Sequence, residues 1–384
     1  MYYIEQVLTH YGWEGIALAG MLLLMLCVQL YYYIFLYGVI PSYKANRRAL
    51  RLETPPALSV IIPMFSEDYS FVEERLPLIL AQEAAEFEVV IVYVGSDTDF
   101  FEDLARLRLS FPQIVVTKIE LNPRFPISTK MALNVGIKSA HHEHILFSTT
   151  DVYPVSDHWL SLVAKGFTRG EVVLGYCGLE PSAGLKSHLM QMSRMMQSAD
   201  WLASAACSRP YRGIRHCVGL TKSIYFGANG FDHLNMNVGE DDLFLQRVMV
   251  RDNVAIVLSP RATLREHCWG GWHWWNDRLY YAGATIAFYP LWVRNHLQWE
   301  VGSHLFFFAG VVCALSVMPL EYKLGALFLL LLRYTVVALE VNRIAKRLGE
   351  ESHWYTYFLY DLLRPFHAVW MSLRLLRKDP RVWR

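Results

Sequence analysis

No charged residue occurs between Glu14 and Lys44, and this interval contains the apolar run GIALAGMLLLMLCVQLYYYIFLYGVI. The run is longer than the roughly 20 residues that an α-helix needs to cross a bilayer. A cleaved signal sequence is the alternative, but it would have a basic start, a shorter apolar core and a small-residue cleavage site. This segment starts with acids and continues into tyrosines at 31–33. The pattern therefore predicts a retained membrane helix.

The charges around the apolar runs predict an orientation. The basic segment KANRRALR at 44–51 comes directly after the first run, whereas no Lys or Arg precedes it, so the positive-inside rule places the middle of the chain in the cytoplasm. A second run, VGSHLFFFAGVVCALSVMPL, lies between Glu300 and Glu321. A third, LGALFLLLLRYTVVAL, precedes the basic cluster RIAKR at 343–347. Three crossings bring the chain back to the basic face consistently.

The rest of the chain divides around these runs. The segment WYTYFLYDLLRPFHAVWMSLRLLRK mixes aromatic, apolar and basic residues, which is typical of a helix that lies in the membrane interface. The net charge of +1 provides no field that would recruit nucleic acid, so no nucleic-acid partner is expected. We expect a membrane helix and basic linker over 1–50, a cytosolic catalytic domain over 51–280, and a membrane region over 281–384 with two spans and an interfacial helix.

The middle of the chain alternates strand-like and helix-like patterns. ALSVIIP, EVVIVYV, IVVTKIE and HILFSTTD read as buried strands, and STKMALNVGIKSA reads as a helix capped by Ser128. This alternation is the signature of a doubly wound, mostly parallel α/β sheet. Such sheets bind ligands beyond the carboxyl ends of their strands. Neither a G-x-x-x-x-G-K-[ST] nor a G-x-G-x-x-G loop comes after a strand, which argues against a kinase, a P-loop protein or an ordinary dehydrogenase.

Six motif-like segments follow one another along the chain: LSVIIPMFSED, VVIVYVGSDTD, STKMALNVGIKSA, ILFSTTDVYPVSDHWL, VGEDDLFLQRV and WHWWNDR. Over about 55–280 this order resembles the family-2 glycosyltransferases, of the membrane-anchored bacterial type. The resemblance implies a GT-A-like, doubly wound mixed sheet, mostly parallel, with flanking transmembrane helices. It also implies a multi-pass protein of the bacterial inner membrane that moves a sugar, with inversion, from a nucleotide-diphosphate sugar to a lipid-linked acceptor. The product would be an envelope glycan or a glycolipid, and proteins of envelope-glycan assembly are further expected partners.

The resemblance assigns a donor side to the ends of the strands and to two helices. Asp151 matches the metal-ligating acid for Mn²⁺ or Mg²⁺, and the helix lysine pattern matches Lys130 with Asn134. Trp272 and Arg278 match the segment that covers the donor diphosphate. The remaining expected donor-binding residues come after the first, second and fourth strands: Glu67, Ser96, Asp97 and Thr149.

Two departures from the family pattern concern acids on this donor side. Thr149 stands where the family has the first acid of its D-x-D motif, and Tyr93 and Val94 stand where an acidic pair usually holds the nucleobase. These departures leave open that the site is altered or inactive.

The acidic trio in GEDDLFLQRV carries the expected acceptor side. Carboxylates at a helix start are stabilised by its unpaired N–H groups, so a purely structural role is the plain alternative. The resemblance makes Asp241 the general base for the acceptor hydroxyl, with Glu240 as its catalytic neighbour. Neighbouring acids raise one another's proton affinity toward the range that a base needs. Asp242 is expected to support or cap this helix at the acceptor side, where Trp275 is also expected.

Two further residues have both a structural and a functional interpretation. His267 is expected as a second metal ligand, against the more common role of a histidine satisfied in the core. Arg333 lies in the third apolar run, where charges are costly and often functional. It is expected to face the phosphate of a lipid acceptor, against snorkelling or pairing with Glu340.

Three other functions compete with the transferase. A catalytically impaired nucleotide-sugar-binding partner in polysaccharide assembly is favoured by the missing acids. A transporter is disfavoured because the spans are few and the polar residues gather in the middle of the chain. A nucleotidyltransferase would need a glycine-rich loop after the first strand, which PMFSED lacks.

Overall fold

The structure is a computed structural model that describes residues 12–45, 49–84, 86–121, 127–232, 234, 239–351 and 354–376. Part of the expected basic linker, at 46–48, and the end of the expected interfacial segment, beyond 376, lie outside these residues. The strands are β1 (Leu58–Met64), β2 (Phe87–Val94), β3 (Ile114–Ile119), β4 (His144–Phe147), β5 (Val152–Pro154), β6 (Val172–Leu174), β7 (Cys177–Leu179), β8 (Val218–Thr221), β9 (Val254–Ile256) and β10 (Leu264–Glu266).

The helices alternate with these strands and then form the carboxyl-terminal part. A π-helical turn, Tyr31–Tyr37, continues the first helix, and another, Phe71–Arg75, precedes the third. The helices are α1 (Trp13–Leu30), α2 (Val39–Ser42), α3 (Leu76–Leu80), α4 (Thr98–Ser110), α5 (Thr129–Ser139), α6 (Trp159–Phe167), α7 (Leu185–Ala206), α8 (Lys222–Gly227), α9 (Leu243–Val248), α10 (Gly271–Ala284), α11 (Leu291–Val317), α12 (Leu320–Leu348) and α13 (Trp354–Leu376).

A seven-stranded sheet in the order β3-β2-β1-β4-β8-β6-β9 forms the centre. β1 pairs in parallel with β2 and β4, whereas β8 runs antiparallel to both of its neighbours. The strand β1 is buried along its whole length, as expected for a parallel strand covered on both faces. The mixed, mostly parallel α/β sheet predicted from the alternation is therefore confirmed. The predicted Ser128 cap is also present, because its Oγ accepts a hydrogen bond from the Met131 N–H at 3.3 Å.

A second, three-stranded sheet has the order β5-β10-β7. β10 pairs antiparallel with β5, with Glu266 opposite Val152, and in parallel with β7, with Glu266 opposite Leu179. The residues that flank these short strands, Asp151 before β5 and His267 after β10, consequently meet at one edge. The small sheet therefore brings together Asp151 and His267, the two residues expected to bind a metal ion.

Within the part of the chain that the structure describes, three helical segments are long and apolar enough to cross a membrane: Trp13–Ser42, Leu291–Val317 and Leu320–Leu348. They correspond to the three predicted runs, although the second helix begins before Glu300. Side chains of Leu22, Phe307 and Ala326 share one buried apolar cluster that joins them. The helix α13 is not among the three, in agreement with its mixed composition.

The apolar helices and the central sheet share a continuous core. Tyr33 from the first segment and Val341 from α12 belong to the same buried cluster as Val90 of β2. The expected boundary at residue 280 falls inside α10. Helix α13 also contacts α10, through the His367 Nε2 atom, 2.9 Å from Asn276 Oδ1. The carboxyl-terminal helices are thus packed onto the sheet-bearing part.

The surroundings of Arg333 differ from all three interpretations that its position in the sequence offered. Its side chain is completely buried, and its two terminal nitrogens donate to the carboxylate of Asp361 at 2.6 and 2.8 Å. Its Nε also donates to Gln29. The expected partner Glu340 instead pairs with Arg343 at 2.6 Å. Pairing with Glu340 was wrong because the carboxylate that faces Arg333 belongs to another helix, α13, and we no longer assign Arg333 to a lipid phosphate.

Candidate functional site

Asp151 lies just beyond β4, at the carboxyl edge of the central sheet. Its Oδ1 accepts a hydrogen bond from the indole N–H of Trp269 at 2.6 Å. The Arg278 Nη2 atom lies 3.8 Å from its Oδ2, and about a quarter of the Asp151 side chain is exposed. The carboxylate is therefore oriented by a donor and a cation while still reaching solvent.

His267 stands directly opposite Asp151 in the continued β5–β10 pairing. The His267 N–H donates to the Asp151 carbonyl at 2.8 Å, one residue beyond the pair Glu266 and Val152. Directly opposed residues of an antiparallel pair project to the same face, with Cβ atoms about 4.5–5.5 Å apart. The rings of His267 and Trp269 also meet edge-on, with centroids 4.6 Å apart. Asp151 and His267 are thus neighbours on one accessible face.

The imidazole of His267 is held by Glu180. Nδ1 lies 2.6 Å from the Glu180 Oε2, and because an ionised carboxylate only accepts, Nδ1 carries the proton. In the neutral imidazole with this tautomer, Nε2 carries the lone pair that binds metals. A carboxylate oxygen of Asp151 and Nε2 of His267 on one face form a donor set that fits a divalent cation.

A buried ionic cluster lies behind Asp151, centred on Glu266. Glu266 is fully buried, and its Oε2 lies 2.5 Å from Arg194 Nη2. Its Oε1 lies 2.5 Å from Arg278 Nη1, in an ion pair without the angles of a hydrogen bond. Its Oε1 is also 3.4 Å from His216 Nε2. Burial alone would raise the pKa of Glu266, but His216, Arg194 and Arg278 outweigh it and hold the pKa below its usual range. Glu266 therefore stays ionised and fixes Arg278.

His216 connects this cluster to the residue in the place of the missing acid. Its Nδ1 lies 3.0 Å from the Thr149 hydroxyl. Burial lowers the pKa of His216, and the charge of Glu266 opposes the shift. Thr149 consequently offers this imidazole a hydroxyl.

The acidic trio lies before and at the start of α9. Gly239, with a φ of +106°, turns the chain into the trio, and Asp242 is the N-cap residue. The side chain of Asp242 is buried and accepts from the Leu243 N–H at 2.6 Å, from the Tyr289 hydroxyl at 2.6 Å and from Thr285. Asp242 thus has the capping role that was expected of it, and these three donors occupy its carboxylate, so we assign it no contact with an acceptor.

Asp241 has the electrostatic environment of a base. Its side chain is half-buried. Burial, together with the smaller effects of the Asp242 and Glu240 charges, raises the pKa of Asp241 to about 6. The cations Arg212 and Arg215 oppose this rise. A carboxylate with this pKa is ionised at pH 7 and is more basic than an ordinary aspartate.

Glu240 is paired on one side only. Its Oε1 lies 2.6 Å from Arg215 Nη1, whereas its buried Oε2 accepts no hydrogen bond from any residue that the structure describes. The Lys130 ammonium donates to the Leu234 carbonyl at 2.8 Å. Burial lowers the pKa of Lys130, and the charge of Glu240 opposes this shift. Lys130 therefore contributes positive charge on the side of the acidic trio.

Two consecutive residues join the two halves of the site. Arg215 binds Glu240, next to Asp241, and His216 binds Thr149 and Glu266, next to Asp151 and Arg278. Both precede β8, the antiparallel strand that pairs with β4. The position of β8 in the sheet thus brings the acidic trio and the end of β4 into one site.

The other predicted residues lie at the edges of this site. Glu67 accepts a hydrogen bond from the hydroxyl of Tyr93, one of the residues in place of the acidic pair. Asp97 caps α4, accepting from the Phe100 N–H at 2.9 Å, and Ser96 beside it is exposed. Asn134 is half-buried on α5.

Two tryptophans of α10 differ from expectation. Trp272 packs edge-on against His367 of α13, with centroids 6.0 Å apart, and so lies toward the carboxyl-terminal helix. Trp275 is buried beneath the Arg194 guanidinium, 5.2 Å from its ring centroid, and is not accessible to an acceptor. Trp269 is instead the tryptophan that donates to Asp151, and the ring centroid of Trp274 lies 4.5 Å from the guanidinium carbon of Arg278. The 3.6-residue turn of α10 puts Trp274, rather than Trp272, on the face of Arg278.

Sequence reasoning missed several residues that complete the site: Arg194, Arg215, His216, Glu180, Glu266 and Trp269. The adjacent Arg and His in GIRHCVGL, just before a strand, were the available signal for two of them. Glu266 and Trp269 occur in LREHCW, the same short segment as the predicted His267. Nothing in the local pattern indicated Glu180, which reaches the site through strand pairing.

No protein-family model matches the chain, and no curated protein matches it. The fold resembles that of the mannosyltransferase PcManGT from Pyrobaculum calidifontis in complex with GDP-Man and Mn²⁺, with a TM-score of 0.50 and 16% identity over 86% of this chain and 98% of that one. TarS 1-349 from S. aureus in complex with UDP-GlcNAc gives a TM-score of 0.40 and 15% identity over 80% of this chain and 91% of that one. The likeness to PcManGT shows that this chain shares its fold with a glycosyltransferase of known structure.

Proposed function

We propose that the protein is a membrane-bound, inverting glycosyltransferase. It moves a sugar from a nucleotide-diphosphate donor to the hydroxyl of a lipid-linked acceptor in envelope glycan or glycolipid synthesis. Its catalytic part lies on the cytoplasmic side of a bacterial inner membrane. The proposal joins the glycosyltransferase fold to the chemistry of one continuous site.

One observation carries the proposal: Arg215 and His216 tie Asp241, a half-buried carboxylate with a raised pKa, to the cluster that holds Asp151 and Arg278. A direct displacement needs a base on the acceptor side and positive charge where the leaving group departs. The two requirements are met by separate residues of a single network. A binding protein would have no use for a base of this kind.

In the proposed reaction, the acceptor hydroxyl gives its proton to the Asp241 carboxylate while its oxygen attacks the anomeric carbon. The bond between that carbon and the donor phosphate oxygen breaks on the opposite face, so the configuration inverts. The nucleoside diphosphate leaves with the electron pair, and Arg278 stabilises its charge. Glu240, held by Arg215, supports the base, because its charge raises the pKa of Asp241.

Asp151 and His267 are the residues that would hold Mn²⁺ or Mg²⁺. Such a cation, when bound, supplies Lewis-acid neutralisation of the diphosphate. Carboxylate oxygen suits both ions, and the imidazole nitrogen favours the transition metal. The fold likeness to PcManGT, solved with GDP-Man and Mn²⁺, makes GDP-mannose the first donor to test.

The lipid-linked acceptor is supported by the carboxyl-terminal helices. Helix α10, which carries Arg278, is bound to α13 through His367 and Asn276 and through Arg374 and Asp277, 3.2 Å apart. Helix α13 exposes the large apolar side chains of Phe366 and Trp370. A helix with this composition lies in a membrane interface, which would present lipid head groups next to the site.

The test is sugar transfer by the full-length protein, purified in detergent. GDP-mannose, other GDP-sugars and UDP-sugars are supplied with Mn²⁺ or Mg²⁺ and a bacterial lipid extract, and lipid products are detected by mass spectrometry. We expect transfer from one donor class, abolished in Asp241→Asn and retained in Asp252→Asn. Asp252 is an exposed aspartate outside the site and serves as the matched control.

The second candidate is a nucleotide-sugar-binding partner without activity, which Thr149 and Tyr93 favour because each stands in place of an acid. Donor binding without transfer or hydrolysis, and equal thermal stabilisation of wild type and Asp241→Asn by the donor, would establish that role. Transfer that disappears in Asp241→Asn excludes it.

A further inference from the structure

We propose that Glu180 is a positioning residue for metal binding: it holds the imidazole of His267 so that Nε2 is the ligand atom on the face shared with Asp151. The inference deepens the proposed function and rests on its divalent cation. Glu180 itself does not contact the metal and acts through His267.

Strand pairing puts Glu180 next to His267. Glu180 comes directly after β7, and its N–H donates to the Glu266 carbonyl at 2.9 Å, one residue before His267. The residues Asp151, His267 and Glu180 therefore form a row across the ends of β5, β10 and β7. This row exists only because β10 is the central strand of the small sheet.

The Glu180 carboxylate is fixed at both oxygens. Oε2 lies 2.6 Å from His267 Nδ1, and Oε1 accepts from the Tyr153 hydroxyl at 3.0 Å. Its backbone carbonyl also accepts from Gln191 Nε2 at 3.1 Å. A carboxylate held in this way has one orientation available to it.

This arrangement has a specific consequence for the imidazole. Metal-binding histidines almost always donate their second N–H to a carboxylate, a carbonyl or water, which fixes the tautomer and increases ligand basicity. Glu180 does both for His267. A histidine that only filled space would have no need of a carboxylate anchored from the far side by Tyr153.

The test measures Mn²⁺ binding directly, by the electron paramagnetic resonance signal of free Mn²⁺, with the full chain in detergent and with GDP or UDP present. All proteins carry Asp157→Asn and His158→Asn, because Glu83, Asp157 and His158 form an exposed cluster that can take up the ion nonspecifically. We expect Glu180→Gln to weaken Mn²⁺ binding by roughly 10–100-fold. Glu171→Gln, at an exposed glutamate paired with Arg51, keeps the wild-type affinity.

A double-mutant cycle separates positioning from direct ligation. If Glu180 acts through His267, Glu180→Gln adds no further loss in a His267→Ala background. Wild-type affinity in Glu180→Gln, or losses that multiply in the double variant, would overturn the proposal. Thermal unfolding without Mn²⁺ shows whether each variant is folded. If Glu180→Gln folds poorly, Glu180→Asp is used in its place, because the shorter side chain draws the carboxylate away from His267 Nδ1.

Product formation is measured separately, so the two proposals fail separately. Transfer that persists while Glu180→Gln leaves Mn²⁺ binding unchanged overturns the role of Glu180 only. Weakened Mn²⁺ binding in a protein that transfers no sugar overturns the transferase only. Absence of Mn²⁺ binding in the background protein overturns the role of Glu180 whatever the outcome for transfer.

Discussion

Arg333 of α12 and Asp361 of α13 form a two-pronged ion pair, with N–O distances of 2.6 and 2.8 Å, and both side chains are almost completely buried. The Nε2 atom of His304 lies 3.3 Å from the same carboxylate. The pair therefore joins three of the carboxyl-terminal helices at one point.

Replacing one member of this pair is expected to destabilise the protein. Arg333→Leu leaves Asp361 buried without its main counter-charge, which costs about 3–5 kcal/mol for a buried pair. Thermal or denaturant unfolding in detergent measures the loss, and the double variant Arg333→Leu/Asp361→Leu should recover much of it. A stable Arg333→Leu that has lost only transfer would instead restore the role of Arg333 as a phosphate ligand.

The pH dependence of transfer is expected to report Asp241. A general base works only when deprotonated, and the pKa of Asp241 is raised to about 6, so the rate should rise through that pH and level off above it. Asp241→Asn is expected to lower the rate by roughly 10²–10⁴-fold. A flat profile between pH 5 and pH 7 with saturating donor would contradict this assignment.

Two neighbours of Asp241 are expected to move that pH profile in opposite directions. The charge of Asp242 raises the pKa of Asp241, so Asp242→Asn should shift the rise in rate to lower pH. The charge of Arg215 lowers the pKa, so Arg215→Gln should shift the rise to higher pH. Rates measured across pH in the two variants provide the comparison, and shifts in the same direction would show that another group is titrating.

Arg278 is expected to matter for the reaction far more than another arginine that contacts α10. It is held by Glu266 at 2.5 Å and by the ring of Trp274, with its guanidinium at the edge of Asp151. Arg278→Gln should lower kcat by roughly 10²–10³-fold, the usual cost of removing one preorganised electrostatic group. Arg374→Gln, which loses a partly exposed pair with Asp277, is the control and should retain activity. If Arg278→Gln kept the same kcat as Arg374→Gln and the wild type, Arg278 would have no role in the reaction.

The order of elements and the position of the acidic cluster were accessible from the sequence because they depend on local patterns. Buried parallel strands are continuous apolar runs, and membrane spans are long apolar runs, so β1, β2 and the three apolar helices could be predicted from neighbouring residues alone. The acids at 240–242 were also visible as a cluster. The role of Asp242 as the cap was expected from the sequence and is present in the structure. The exact start of α9 at Leu243 was known only from the structure.

The partners of the predicted residues could not be obtained in this way. Arg333 was expected to face a lipid phosphate, with pairing to Glu340 on the same helix face as an alternative, but Asp361 on α13 offers it two aligned oxygens. Glu266 and His216 are separated from Thr149 by long stretches of chain, and only the pairing of β8 with β4 and of β10 with β5 brings them together.

The sequence by itself thus determined the α/β alternation, the apolar helices and the residue types available for chemistry, since period and composition act over a few neighbouring residues. Only the tertiary structure decided which charges neutralise one another, which tryptophan donates to Asp151 and which nitrogen of His267 faces Glu180. The physical reason is that these choices depend on the register of strands and on helix packing between distant segments, where a shift of one residue turns a side chain to the opposite face.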